Sequence, residues 1–297
     1  RGGAKIDRAE SKHALRKGVE AVKSGEMTPV EMLTQTIKGA LRRPNGGTDE
    51  RELDPQMENL SSVLKRAGYQ TVLKGKWHLT QPVADDWSEA DSARLADEYG
   101  FEGWVPPDAG ENIEPSHFGG GDKAGRSKEG YDEDFTRQAE EFLADPPEGP
   151  WALIFSLVNP HDVLGYPSSY EEGGYSREEW AVLDGVGLPP SVDETLRNKP
   201  RAHALLKVGQ LGFLGRIEGE QRLEYCRFYA HLHRLADQKI GRVLEALGDP
   251  DDPESQRSKT VIFRTYDHGD LGMSHGGLRQ KMFNAYEETI NVPLIVS

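Results

Sequence analysis

These 297 residues contain a single cysteine, Cys226, so no internal disulfide can form and the redox compartment is left open. No apolar run approaches the roughly 20 residues of a membrane-spanning helix. Positive charge is scarce: 36 Lys and Arg stand against 50 Asp and Glu, for a net charge of −14. No basic cluster forms a nucleic-acid footprint. The chain opens on Arg1 with no visible signal peptide. It stops just after an apolar run over 292–296. Both ends read as truncated, as expected for a piece of a larger protein, and neither compartment nor oligomeric state can be read from it.

Length is sufficient for a full hydrophobic core. A modest 36% hydrophobic content beside 33 glycines suggests a soluble domain with long loops. An acidic protein that handles an anion must gather positive charge locally, through Lys, His or a metal.

Residues 1–50 carry helical spacing, with a helix start at Thr28-Pro29-Val30-Glu31, and read as a helical insertion or N-terminal remnant. From 51 onward the pattern is that of an α/β domain. A short amphipathic helix over 59–68 is closed by Gly68. A strand over 69–73 follows it. Residues 80–130 form a polar excursion with a possible short helix at 92–99. A helix is expected over 134–143, then an unbroken apolar strand over 151–158, the kind buried on both faces of a parallel sheet. Residues 159–215 read as loop-rich. A long helix is expected over 218–247, with Cys226, Tyr229, Leu232, Ala236, Ile240, Val243 and Leu247 on one stripe, which makes Cys226 a buried structural thiol. Further strands are expected at 260–265 and 292–296. Strands alternating with helices predict a mostly parallel central sheet with helices on both faces.

In such sheets ligands bind beyond the carboxyl ends of the strands, and polar signals stand there. Lys76 and His78 follow the first strand, Asn159-Pro160-His161-Asp162 the second, and Tyr266-Asp267-His268-Gly269-Asp270 the third, with Lys281 further on. Lysine fixes an anion as a point charge, and histidine holds or donates a proton near neutral pH. With equal side-chain parity, Lys76 and His78 can point into one cleft and serve a tetrahedral oxyanion ester, although the segment standing alone reads more simply as an exposed pair at a strand end. Asp267 supplies a hard oxygen and neutral His268 a borderline nitrogen, which suits half of a divalent-metal site.

Gly68-Tyr69-x-Thr71-x-x-x-Gly75-Lys76-Trp77-His78-Leu79 resembles the second signature of the sulfatase family, in the alkaline-phosphatase superfamily. Pro160-His161, Asp267-His268-Gly269, Lys281 with Tyr286-Glu287-Glu288, and Val292-Pro293-Leu294-Ile295 resemble its later blocks in the same order. The resemblance covers about residues 50–297. It implies that Lys76 and Lys281 bind the sulfate oxygens, that His78 assists turnover of a covalent intermediate, and that His161 holds the anion and protonates the leaving group. It implies that Asp267 and His268 ligate a divalent metal, usually calcium in that family, with Mn2+ or Zn2+ as alternatives.

The family nucleophile, a Cys or Ser in Cys/Ser-x-Pro-x-Arg that becomes formylglycine, has no counterpart in these residues, nor do the family's first two metal-binding aspartates. Both are expected upstream of Arg1, so this piece alone is expected to be inactive. The expected activity is metal-assisted hydrolysis of a small-molecule or glycan sulfate ester. A phosphodiester or phosphonate monoester hydrolase on the same scaffold is the alternative, and a non-catalytic anion-binding relative is a third reading. Trp87, Trp104, Phe118 and Tyr166 are candidate walls of the substrate pocket, or simple packing.

Overall fold

The computed structural model describes residues 52–110, 114–120, 130–282 and 284–297, together with Ser24. The helical region expected over 1–50 lies otherwise outside the described residues. The chain divides into two compact units: the described residues within 51–188, 219–267 and 292–297 form one, and those within 1–50, 189–218 and 268–291 the other.

The larger unit begins with helix α1, Leu60–Arg66. Asn59 caps it: its Oδ1 accepts from Ser62 N at 2.9 Å, and Ser62 Oγ accepts from Asn59 N at 3.0 Å. Gly68, at φ 87°, ends it. There Gly68 N donates to Lys65 O and Tyr69 N to Leu64 O, both at 3.0 Å, which turns the chain directly into a strand. That strand, β1 (Gln70–Gly75), pairs in parallel with β2 (Trp151–Ser156), in register from Gln70↔Trp151 to Gly75↔Ser156. Between them come α2 (Glu89–Arg94), continuing as a π-helical turn Leu95–Tyr99, and α3 (Tyr131–Ala144).

Both faces of the parallel pair are covered. On one, Leu73 and Ile154 meet Trp77, Leu95, Tyr99, Phe101 and Trp104. On the other, Trp151, Leu153 and Phe155 meet Ala139 and Leu143 of α3 and Val243 of α6 (Gln221–Ala246), together with Leu247 just beyond α6. Of the apolar stripe expected on α6, Val243 and Leu247 face this layer, and Cys226 is a buried free thiol. Arg242 of α6 reaches across to α3, with Nη1 2.7 Å from Glu133 and Nη2 2.7 Å from Glu140.

Three expectations are corrected. All six residues of β2 are half-buried rather than fully buried, because among the described residues the strand pairs along one edge only. The last two strands are short and antiparallel: β3 is Phe263–Arg264 and β4 is Ile295–Val296. Residues 159–215 are not all loop: besides the one-turn helix α4 (Glu178–Ala181) they hold α5, Arg201–Phe213. Gly209 and Gly212 weaken the helical signal of α5. The buried Arg279 guanidinium compensates by donating to carbonyls at its C-terminal end, Gln210 O at 3.4 Å, Leu214 O at 3.1 Å and Gly215 O at 2.6 Å. A last short helix, α7, is Glu287–Ile290.

Gly75 closes the parallel pair at φ 123°. A Cβ there would lie 1.9 Å from Ser156 O, the same oxygen that accepts from Lys76 N at 3.0 Å. Gly75→Ala is therefore expected to force the strand ends apart and to cost about 1–3 kcal/mol or more. A lower urea midpoint would register this, and an unchanged midpoint would refute the close-approach account.

Candidate active site

Lys76 leaves β1 at Gly75 and is half-buried. Its Nζ donates to Gly110 O at 3.0 Å. Burial pushes its pKa below the ordinary lysine value, while the carboxylates of Asp267, Asp108, Asp162 and Asp132 pull it back up. The ammonium is thus the cation in a neighbourhood of four carboxylates.

The strand alternation expected to aim Lys76 and His78 together does not operate, because β1 ends at Gly75 and the backbone at His78 is left-handed, at φ 50°. A carboxylate sets this turn. The fully buried Asp108 accepts from Trp77 N at 2.9 Å, from Ala109 N at 2.9 Å and from His78 N at 2.5 Å. Trp77 packs inward, with Nε1 donating to Thr80 Oγ1 at 2.9 Å. His78 stays exposed.

At the end of β2 two more buried aspartates do similar work. Asp132, on α3, accepts from Val158 N at 2.7 Å and Asn159 N at 3.1 Å. Asp162 accepts from Gly119 N at 3.2 Å and Gly120 N at 2.9 Å, and receives the Tyr175 hydroxyl. Tyr175 OH also accepts from Asn159 Nδ2 at 3.0 Å. Burial, and then the Asp162 charge, push the Tyr175 phenol well up, so it remains a neutral donor. His161 stands on this platform, its Nδ1 3.7 Å from Asp162 Oδ1 and its ring 6.4 Å edge-on from Phe118.

Asp267 follows β3 and is exposed. In the larger unit Lys76 thus follows β1, His161 with its neighbour Asp162 follows β2 and Asp267 follows β3, and the charges of Asp162 and Asp267 act on Lys76. His268 and Lys281 belong to the smaller unit. His268 Nδ1 lies 2.9 Å from Gly269 O. A carbonyl can only accept, so in the neutral ring this contact places the hydrogen on Nδ1 and leaves the lone pair on Nε2, the form in which histidine ligates a metal. Gly269 is required there because a Cβ would meet Glu288 O at 2.0 Å. The loop carrying Lys281 is closed by Asp270, which accepts from Gly272 N at 2.7 Å and Gln280 N at 3.1 Å.

Among the described residues no three His, Cys, Asp or Glu side chains converge as a metal site. Asp267 and His268 have the right chemistry for two ligands of a divalent cation and do not by themselves make a site. The aromatic candidates are packing: Trp104, Phe118 and Tyr166 are buried, and Trp87 packs edge-on against Trp104 at 5.5 Å.

Asp108 and Asp132 escaped sequence reasoning because each acts on backbone groups far away in the chain. Asp162 was visible only as the neighbour of His161. Burial, and then the Asp162 charge, push the Asp132 carboxyl up to about 6. A raised carboxyl favours the folded state when protonated, so its contribution is complete below about pH 4 and is lost as pH rises through about 6. Asp132→Asn is expected to destabilise more at pH 4.5 than at pH 7, by ~2 kcal/mol. Urea unfolding of both proteins at the two pH values checks this, and a pH-independent difference would sink it.

The sequence model of the Sulfatase family matches residues 22–297. The sulfatase YidJ of Escherichia coli K12, itself uncharacterised, is 27% identical over 252 residues, 80% of this chain and 47% of that protein. A choline-sulfatase of Rhizobium meliloti is 26% identical over 253 residues, 79% of this chain and 46% of that one. The chain thus spans about half the length of the curated relatives it matches. Among solved structures, a 2-O GAG sulfatase superposes with a TM-score of 0.56 at 21% identity, covering 83% of this chain and 47% of the other. A phosphonate monoester hydrolase of Silicibacter pomeroyi gives 0.54 at 20% identity, covering 83% and 53%. Both share the fold. With its family signature seated at the carboxyl ends of a parallel α/β sheet, the chain belongs to the sulfatase family.

Proposed function

We propose that the complete protein hydrolyses a sulfate monoester by nucleophilic displacement, and that these residues build the anion-holding half of its site. The observation that supports this most directly is Lys76, half-buried at the end of the β1–β2 pair and surrounded by carboxylates. A half-buried ammonium at a strand end can fix an oxyanion as a point charge, and the nearby carboxylates keep it protonated.

In this reading Lys76 and Lys281 hold the ester oxygens, His161 protonates the departing oxygen and His78 assists breakdown of the covalent intermediate. The nucleophile is a Cys or Ser, as formylglycine, outside these 297 residues. Asp267 and neutral His268 hold a divalent cation with ligands from the rest of the protein, calcium before Mn2+ or Zn2+. When bound, the cation offsets the oxyanion's charge. The substrate is a small-molecule or glycan sulfate ester.

The fold shared with a phosphonate monoester hydrolase favours a second reading, in which the ester is a phosphonate or phosphodiester. Turnover of an aryl sulfate, an aryl phosphate diester and a phosphonate monoester by the complete protein separates the two. Faster sulfate cleavage is expected, and a preference for either phosphorus ester would reverse the assignment. Lys76→Ala and His161→Ala are each expected to lower kcat/KM by about 10²–10³. Loss of less than about threefold in both would remove these residues from the chemistry.

A further inference from the structure

His275 stands in the loop between His268 and Lys281, and the reading above gives it no role. Its ring is engaged on both nitrogens and one face. Nδ1 lies 2.7 Å from Glu194 Oε2, Nε2 lies 3.2 Å from Glu288 Oε2, and the ring stacks on Tyr286 with centroids 3.7 Å apart and planes 15° from parallel. Ionised carboxylates only accept, so both bonds are made together when both ring nitrogens carry hydrogen. Such a ring is a cation between two anions on an aromatic face, an arrangement favoured by charge-assisted bonding and cation–π attraction.

The backbone around it is costly. Met273, His275 and Gln280 are left-handed, at φ 76°, 50° and 68°, with Gly276 and Gly277 at 79° and 77°. Non-glycine residues persist in that region only when their surroundings hold them. Here His275 N donates to Ser191 Oγ at 3.0 Å, Gly276 N to Ser191 O at 2.8 Å, and Lys207 Nζ to Gly276 O at 2.5 Å. Gly276 runs so close to the 191–194 segment that a Cβ would meet Glu194 O at 2.7 Å. Lys199 pairs with Glu194 at 2.9 Å and sits 5.1 Å from the Tyr286 ring centre, and the Tyr286 hydroxyl meets His203 Nδ1 at 3.2 Å. First His275 and then Lys199 hold the Glu194 carboxyl below the ordinary glutamate value.

We propose that His275 is a positioning residue: clamped between Glu194 and Glu288 and seated on Tyr286, it locks the left-handed turn over 273–277. Through the Asp270–Gln280 closure it thereby sets where the backbone presents Lys281. Only the consequence for turnover rests on the sulfatase reading; the clamp itself does not.

The test uses the complete protein with His275→Ala and His275→Arg. Arginine keeps a flat cation with donors for two carboxylates and a face for Tyr286. Amide hydrogen exchange at Leu271, Met273, Gly276 and Leu278, each bonded within this unit, is expected to quicken about tenfold or more in His275→Ala. It should return to within about threefold of wild type in His275→Arg, with Leu73 and Lys76 unchanged in both. On an aryl sulfate, KM should rise about tenfold in His275→Ala with kcat held within about threefold, and His275→Arg should restore it. Unchanged exchange in His275→Ala, absence of rescue by arginine, or quickened exchange with unchanged KM would each overturn the proposal. If exchange responds as expected but the wild-type protein cleaves no sulfate ester, the clamp stands and the reading of the function fails instead.

Discussion

Buried carboxylates gripping backbone N–H groups hold the strand ends of the larger unit in place. Asp108 takes the amides of Trp77 and His78, Asp132 those of Val158 and Asn159, and Asp162 those of Gly119 and Gly120. A buried charge is tolerated only when its hydrogen bonds are made. Each aspartate therefore ties its own segment to a strand end or to the loop beneath one. The same charges face Lys76, so scaffold and electrostatics have one source. In a chain of net charge −14, these three aspartates are occupied with backbone amides, and the Lys76 ammonium itself donates to Gly110 O.

The two units use different means to the same end. Around β1 and β2 the strand ends are held by carboxylate-to-amide bonds and by glycines that permit close approach, Gly75 against Ser156 above all. In the smaller unit the loop after Asp267 bends through left-handed residues and is held by side-chain ion pairs and stacking centred on His275 and Tyr286. The bend carries a cost in backbone strain that those contacts meet.

Much of this architecture was legible. Periodicity located α1, α3 and α6, and the unbroken apolar run located β2, because apolar spacing reports the face that must be buried. Lys76, His161 and Asp267 were legible as polar residues following strands. The length of β3 and β4, their antiparallel pairing and the helix α5 were not. Short strands are defined by their partners, and α5 is completed by Arg279 from far along the chain. The pairing of Lys76 with His78 by strand parity failed because parity holds only while the chain remains extended, and Asp108 ends that extension.

Sequence alone determined the residue types and their order: a lysine and a histidine after one strand, a histidine after the next, an aspartate and histidine after the third. It also determined the family, since the Gly-Tyr-x-Thr to Lys-Trp-His segment is a local pattern readable without coordinates. Tertiary structure decided which way those side chains face and what surrounds them. Asp108, Asp132, Tyr175 and Glu194 act on groups remote in sequence, through distances and burial that no local pattern encodes. Orientation and electrostatic environment are properties of packed neighbours, and packed neighbours exist only once the chain has folded.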